Sequence, residues 1–114
     1  MKVNEIIEYS KAIVVAGDPK DSMEIEKAFS SDLMSDVLTL DEENIILITG
    51  LSNVQLIRTA EMADISIVIL ARNKKATQEM IDLAEENGLL LLETPFSIFR
   101  TSGLLFSKGL KPVY

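Results

Sequence analysis

Short, uninterrupted aliphatic blocks recur along the chain and dominate its hydrophobic pattern. Four of them have the length of a β-strand, and they occupy residues 12–16, 45–49, 65–71 and 89–92. Because they do not alternate with polar residues, we expect strands that are covered on both faces, as in a parallel sheet between helical layers. A weaker block at residues 23–29 alternates apolar and polar residues, which is typical of a strand at the edge of a sheet.

The segments between these blocks have helical periodicity. It predicts a short helix that carries Val3, Ile6 and Ile7, and further helices over residues 31–40, 53–63, 76–87 and from residue 94 onward. The expected N-cap residues are Asn4 for the first helix, Ser31 or Asp32 for the second, Ser52 or Asn53 for the third and Thr94 for the last. Gly88 follows the fourth helix at the position that favours a left-handed residue, so we expect that helix to end there.

The last predicted helix carries three of the four phenylalanines. Pro95 fits its first turn, where the missing N–H group is not needed. Phe99, Gly103, Phe106 and Leu110 recur on one face, and Gly103 would let this helix approach the sheet closely. If the helix is not covered from outside, its phenylalanines form an exposed apolar patch that a dimer would bury.

The predicted elements follow the order αββαβαβαβα. This alternation is typical of a three-layer α/β/α domain whose mostly parallel sheet, here of about five strands, lies between two helical layers. The chain has no internal repeat, no low-complexity tract and no linker longer than the turn region at residues 17–22. The sequence therefore predicts a single α/β domain over residues 1–114.

Composition removes several classes of chemistry. The 114 residues include no cysteine and no histidine, which excludes thiol nucleophiles, disulfides, zinc ribbons and histidine-based triads. The net charge of -7 argues against binding to nucleic acid or anionic lipid. No apolar run approaches the roughly 20 residues that span a bilayer, and we see no signal peptide. We expect a cytoplasmic protein that binds no nucleic acid, membrane, metal or cofactor.

Topology defines where a ligand would bind. In an open parallel α/β sheet, ligands bind outside the carboxyl ends of the strands, where helix N-termini present free N–H groups. The residues that follow the predicted strands are mostly small, hydroxylic or cationic. The candidate ligand-binding residues are Ser31, Asp32, Asp36, Thr49, Gly50, Ser52, Asn53, Arg72 and Asn73. We assign none of them a catalytic role.

The segment from Thr49 to Asn53 is the first candidate for an anion site. Gly50 would permit an unusual backbone angle, and the following helix would present its amides to the anion. The segment lacks the Gly-Lys-Ser/Thr of a P-loop and the Gly-x-Gly-x-x-Gly of dinucleotide-binding proteins. The simpler interpretation is a strand-to-helix turn with an N-cap residue.

A basic cluster formed by Arg72, Lys74 and Lys75 follows a strand that we expect to be central. Arg72 is the strongest candidate of the three, because a guanidinium binds phosphate or carboxylate through two parallel hydrogen bonds. The alternative is that these are solvated residues before a helix, since most surface charges contribute little to stability.

Asp32 and Asp36 lie four residues apart, on the same side of the helix predicted over residues 31–40. Paired carboxylates can perform acid–base chemistry or hold magnesium through water. The structural alternative is that Asp32 is favoured at a helix N-terminus by the helix dipole.

Five segments taken in order resemble the DRTGG domain family, which is related to the N-terminal domain of HPr kinase/phosphorylase. They are MKVNEIIEY at 1–9, SSDLMSDV at 30–37, ILITG at 46–50, IVILARN at 67–73 and LLET at 91–94. The resemblance implies a three-layer α/β domain, regulatory or dimer-forming and without catalysis, that occurs alone or beside CBS pairs and phosphotransacetylases. The pentapeptide Asp-Arg-Thr-Gly-Gly is absent from this sequence, so no residue role is transferred from it.

Three functions remain open at this point. The first is a regulatory or ligand-sensing domain, expected as a homodimer, that binds a small anionic metabolite or nucleotide at the carboxyl edge of the sheet. The second is a structural module that binds a second copy or another protein, and an ion pair of Arg72 with Asp32 or Asp36 would favour it. The third is a magnesium-dependent phosphoryl-transfer enzyme, which would also need a nucleophile or a phosphate cradle.

Overall fold

The computed structural model describes residues 1–20 and 23–114, in which helices and strands alternate along the chain. The elements are α1 (Val3–Ser10), β1 (Ile13–Ala16), β2 (Lys27–Ser30), α2 (Met34–Val37), β3 (Ile45–Thr49), α3 (Val54–Met62), β4 (Ile67–Leu70), α4 (Gln78–Glu86), β5 (Leu90–Glu93), α5 (Ile98–Ser107) and β6 (Lys111–Pro112). This is the predicted order with a short sixth strand added at the end. The turn region predicted over residues 17–22 lies partly outside the described residues.

The strands form one sheet in the order β1-β5-β4-β3-β2-β6. Only β1 is antiparallel to its neighbour among these strands, and every other pair is parallel. The strands β3 and β4, which are apolar except for Thr49, are fully buried at the centre of the sheet, as predicted. The prediction of an edge strand at residues 23–29 is wrong: β2 is shorter, and β6 pairs with its outer side.

Helices cover both faces of the sheet. On one face, α2, α3 and α4 pack against alternate strand residues that include Leu47 and Val68. On the other, α1 and α5 pack against the intervening residues, among them Ile46 and Ile69. Because neighbouring residues of a strand point to opposite faces, a continuous aliphatic block supplies both cores. The predicted three-layer α/β/α fold is confirmed.

Two predicted helix ends are confirmed. The Asn53 side chain accepts a hydrogen bond from the Leu56 amide at 3.0 Å and caps α3. Gly88 follows α4 with a φ of 67°, the left-handed conformation expected there. In the described part of the chain, no helix is both long and apolar enough to cross a membrane.

The N-caps predicted for the first two helices are wrong. Helix α1 follows Lys2, whose amide donates to the Glu5 carboxylate at 2.9 Å, so Asn4 lies inside the helix. Helix α2 has only four residues and follows Leu33, which supplies no side-chain cap. The reason is tertiary: Asp32 bonds to the end of β3 and not to its own helix.

The last helix also differs from its prediction. Ser97 caps α5, while the Thr94 hydroxyl donates to the Ser10 carbonyl at 2.6 Å. The face that meets the sheet carries Leu105, and Phe99 is 87% exposed. Gly103 has no neighbouring atom within 4 Å of where its Cβ would lie, so it does not allow a close approach.

Candidate functional site

The carboxyl ends of three parallel strands bring four of the predicted residues together. Asp32 follows β2, Thr49 ends β3 and is followed by Gly50, and Arg72 follows β4. These strands are neighbours in the sheet, so their carboxyl ends lie at one edge. Arg72 follows a central strand, as predicted.

The Asp32 carboxylate fills the place that we predicted for a ligand anion. Its Oδ1 accepts hydrogen bonds from the Gly50 amide at 2.7 Å and from the Thr49 hydroxyl at 2.9 Å. The Thr49 Oγ1 in turn accepts from the Leu51 amide at 3.1 Å. Among the described residues, the second carboxylate oxygen of Asp32, Oδ2, has no hydrogen-bond partner. A strand-end backbone amide is thereby satisfied within the protein.

Arg72 lies directly over Gly50. Its Nη2 donates to the Gly50 carbonyl at 3.3 Å, and a Cβ on Gly50 would come within 2.4 Å of the Arg72 Nε. Gly50 does not have a positive φ, so the predicted unusual backbone angle is wrong. Glycine is suited to this position because it leaves space for the guanidinium.

The backbone that carries Arg72 adopts a left-handed turn. Arg72 and Asn73 have φ values of 60° and 58°, and the Lys74 amide donates to the Ala71 carbonyl at 3.2 Å. Two consecutive left-handed residues closed by this bond are typical of a type I′ turn, which usually contains glycine or asparagine. The arginine is therefore held in an uncommon conformation, of the kind that clusters at functional sites.

Phe96 contacts this turn through its carbonyl group and contacts a second arginine through its ring. Its carbonyl accepts a hydrogen bond from the Arg72 amide at 2.8 Å. The Arg100 guanidinium carbon lies 3.8 Å from the centre of the Phe96 ring, in a cation–π contact. Within residues 1–20 and 23–114, neither arginine forms an ion pair, with Asp32, Asp36 or any other acid. The contact that would have favoured a purely structural role for Arg72 is not formed there.

The remaining predicted residues have local structural roles. The Ser31 hydroxyl accepts from the Leu33 amide at 3.0 Å, and Asn53 caps α3. The Ser52 hydroxyl donates to the Lys75 carbonyl and so ties two edge loops together. The exposed Asp36 lies on α2 whereas Asp32 precedes that helix, so the predicted pair of carboxylates on one helical face is not formed.

Sequence reasoning missed Glu93, which ends β5. Its carboxylate is buried, accepts a hydrogen bond from the Ala76 amide at 2.7 Å and lies 3.6 Å from the Lys75 Nζ. These contacts anchor the loop between β4 and α4 to the edge of the sheet. The sequence could have indicated this role, because an acidic residue at the end of a buried aliphatic strand is costly unless it has a hydrogen-bond or ion-pair partner.

A group of three or more acidic side chains suited to hold a metal ion is not found among the residues described. Several cavities lie away from Arg72. A groove of about 270 Å³ runs between β2, α5 and β6. An open depression of about 900 Å³ lies at the opposite edge of the sheet and is lined by acidic residues that include Glu26, Glu43 and Asp64.

No family model matches the chain, and no curated protein matches it. Its fold is similar to that of a solved regulatory region. That structure is the crystal structure of the CBS and DRTGG domains of the regulatory region of Clostridium perfringens pyrophosphatase, complexed with the activator diadenosine tetraphosphate. The two superpose with a TM-score of 0.78 at 18% sequence identity, over 98% of this chain and 48% of that chain. This chain therefore spans about half the length of its neighbour, and the likeness establishes its fold.

Proposed function

We propose that this chain is a non-catalytic regulatory domain of the DRTGG type, which binds a small anionic metabolite or nucleotide at the carboxyl edge of its sheet. The observation that carries the proposal is Arg72, a guanidinium without an ion pair in the described structure, held over Gly50 by a left-handed turn. In a chain of net charge -7, a cation placed in this way at the ligand edge is suited to an anion.

The comparisons support the regulatory class. The solved neighbour contains DRTGG domains, belongs to a regulatory region and was crystallised with a nucleotide activator. The ordered resemblance of this chain to the DRTGG family points the same way. With it we propose a single domain over residues 1–114, acting in the cytoplasm as a homodimer.

We propose different roles for the predicted residues. Because Asp32 already bonds to the Gly50 amide, the ligand anion would bind the outward N–H groups of Arg72, assisted by Asn73 beside it. Asp32, Thr49 and Gly50 would position that arginine. Thus, the candidate site is an arginine platform rather than the amide cradle that the sequence favours.

The test is thermal melting against adenine and guanine nucleotides, acetyl phosphate and sugar phosphates, with and without magnesium. A ligand at about 100 times its dissociation constant adds roughly 2.7 kcal/mol, a rise of about ten degrees or more for a domain of this size. Arg72→Ala should remove the rise, and Arg58→Ala on the exposed face of α3 is the matched control. An equal rise in Arg72→Ala would contradict the proposal.

A second candidate is a protein-interaction module without a small-molecule ligand. It is favoured by the outer face of α5, where Phe99 is 87% and Phe106 is 61% exposed. Isolated exposed apolar residues are normal, but two phenylalanines on one helix are suited to a partner surface. A flat melting panel together with a stable dimer would favour this candidate.

A further inference from the structure

We propose that the groove between β2, α5 and β6 binds the base of a nucleotide whose phosphates contact Arg72. This inference rests on the proposed function and names the ligand class of that site as a nucleotide. The proposal connects the Arg72 site to a cavity whose lining includes none of the candidate ligand-binding residues.

The groove has the size and lining expected for a planar ring. Its volume of about 270 Å³ lies below the roughly 300 to 1,000 Å³ of clefts that enclose a whole ligand. A groove of this size is suited to one part of a larger molecule. Its lining residues include Phe29, Ser30, Ile48, Ser102, Phe106 and Tyr114.

Two exposed aromatic residues, Phe106 and Tyr114, line the groove. The Tyr114 ring is held by Phe29, which packs on the opposite face of the sheet; the two ring centroids are 5.9 Å apart, with an angle of 48° between the ring planes. Tyr114 and Phe106 are both largely exposed, so their faces are available for stacking. Stacking on aromatic side chains is a general mode of binding nucleobases, because every base has a π-face.

Two serines supply the polar groups that a base requires. The hydroxyl oxygens of Ser30 and Ser102 are 2.6 Å apart, so one hydroxyl donates to the other. The accepting hydroxyl keeps its own proton free to donate, and both oxygens retain acceptor capacity. A heteroaromatic ring with nitrogen and exocyclic groups would pair with this arrangement, whereas a hydrocarbon would not.

The end of β2 links the groove to the arginine site. Ser30 lies two residues before Asp32, a separation of at most about 7 Å in extended chain. The free Oδ2 of Asp32 is suited to accept from a ribose hydroxyl, as acidic residues do in dinucleotide-binding folds. Asp32 then contacts Gly50, over which Arg72 lies. Ring surface, acceptor and cation thus follow one another in the order of base, ribose and phosphate.

The experiment is isothermal titration of the whole chain with ATP, GTP, adenosine and inorganic tripolyphosphate. We expect a purine triphosphate to bind at least tenfold more tightly than tripolyphosphate, because only the nucleotide fills the groove. Ser102→Leu should remove this advantage and leave tripolyphosphate binding unchanged. Ser107→Leu, at an exposed position of α5 that does not line the groove, is the matched control.

Tyr114→Ala removes one ring at an exposed position, and it replaces Ser102→Leu if that variant fails to fold. Nucleotides that bind no better than tripolyphosphate, or that bind Ser102→Leu as they bind the wild type, would overturn the base site and leave the proposed function standing. If neither nucleotides nor tripolyphosphate bind, the base site is overturned, and the proposed function also fails if the acetyl phosphate and sugar phosphates of the melting panel do not bind. Binding that Arg72→Ala weakens for tripolyphosphate and ATP but not for adenosine would support the full arrangement.

Discussion

The guanidinium of Arg72 occupies the space that a side chain on Gly50 would take. A Cβ built on Gly50 would lie 2.4 Å from Nε and 2.9 Å from Cζ of Arg72. The atoms in the way belong to the far end of a flexible side chain, and Gly50 has no left-handed backbone to disturb. Thus, a methyl group at residue 50 would move the arginine without breaking the fold.

Gly50→Ala should therefore separate binding from stability. We expect the free energy of unfolding to change by less than about 1 kcal/mol. Anionic ligands should bind about ten- to a hundredfold more weakly, since hydrogen bonds to a charged group contribute about 1.5–3 kcal/mol. Urea unfolding and ligand titration of the same preparation measure both quantities. Unchanged affinity in a variant whose fold is intact would count against the arginine platform.

Unlike Gly50→Ala, Asp32→Ala should destabilise the fold. It removes the acceptor of the Gly50 amide and of the Thr49 hydroxyl, and both donors belong to buried residues. Leaving buried donors unsatisfied costs about 1–3 kcal/mol. Urea unfolding should show this loss, while the exposed Asp36→Ala should stay within about 0.5 kcal/mol of wild type. Equal stabilities for the two variants would contradict the structural role given to Asp32.

Local pattern was sufficient to predict the central strands of the sheet. The blocks that became β3 and β4 are apolar at every position except Thr49 and Ser66, and such a pattern is typical of strands buried on both faces. The cap Asn53 and the stop Gly88 were equally readable, because both act through bonds within a few residues of themselves. The order of the elements from α1 to α5 followed from such local signals.

The roles that could not be predicted depend on hydrogen bonds and contacts between residues distant in sequence. Aspartate is a common N-cap residue, but the Asp32 carboxylate accepts its hydrogen bond from Gly50, 18 residues away. Thr94 resembles a cap too, yet its hydroxyl bonds to Ser10, 84 residues away. Glycine at residue 50 indicated an unusual backbone angle, whereas the structure explains it by the Arg72 guanidinium that lies against it. A single sequence does not specify these distant contacts.

Two glycines offer a matched pair for stability. A Cβ on Gly17 would lie 2.6 Å from the Leu89 carbonyl oxygen, and its φ is 85°. Gly17→Ala should therefore destabilise the fold by about 2 kcal/mol or more, through strain and backbone overlap. Gly103→Ala, in the open face of α5, should stabilise it by about 0.5–1 kcal/mol. Thermal melting should move the two midpoints in opposite directions, and shifts of the same sign would contradict the packing described.

Glu93 should hold the loop before α4 in place. Glu93→Ala leaves the Ala76 amide without its acceptor and Lys75 without its carboxylate. We expect faster hydrogen exchange at Ala76 and a loss of about 1–3 kcal/mol in stability. Glu93→Gln keeps an oxygen acceptor and should retain most of the protection. If both variants exchange as slowly as wild type, Glu93 does not anchor this loop.

The outer face of α5 allows a direct test of the proposed homodimer. Phe99 projects into solvent in the single chain, and buried aromatic residues supply much of the energy at interfaces. If a second copy covers this face, light scattering should give twice the mass of one chain. Phe99→Ser should then weaken the dimer by about 2 kcal/mol, roughly thirtyfold in dissociation constant. Leu33→Ser, at another exposed apolar position outside α5, is the control. A monomer at every concentration would refute the homodimer, and a dimer insensitive to Phe99→Ser would place its interface elsewhere.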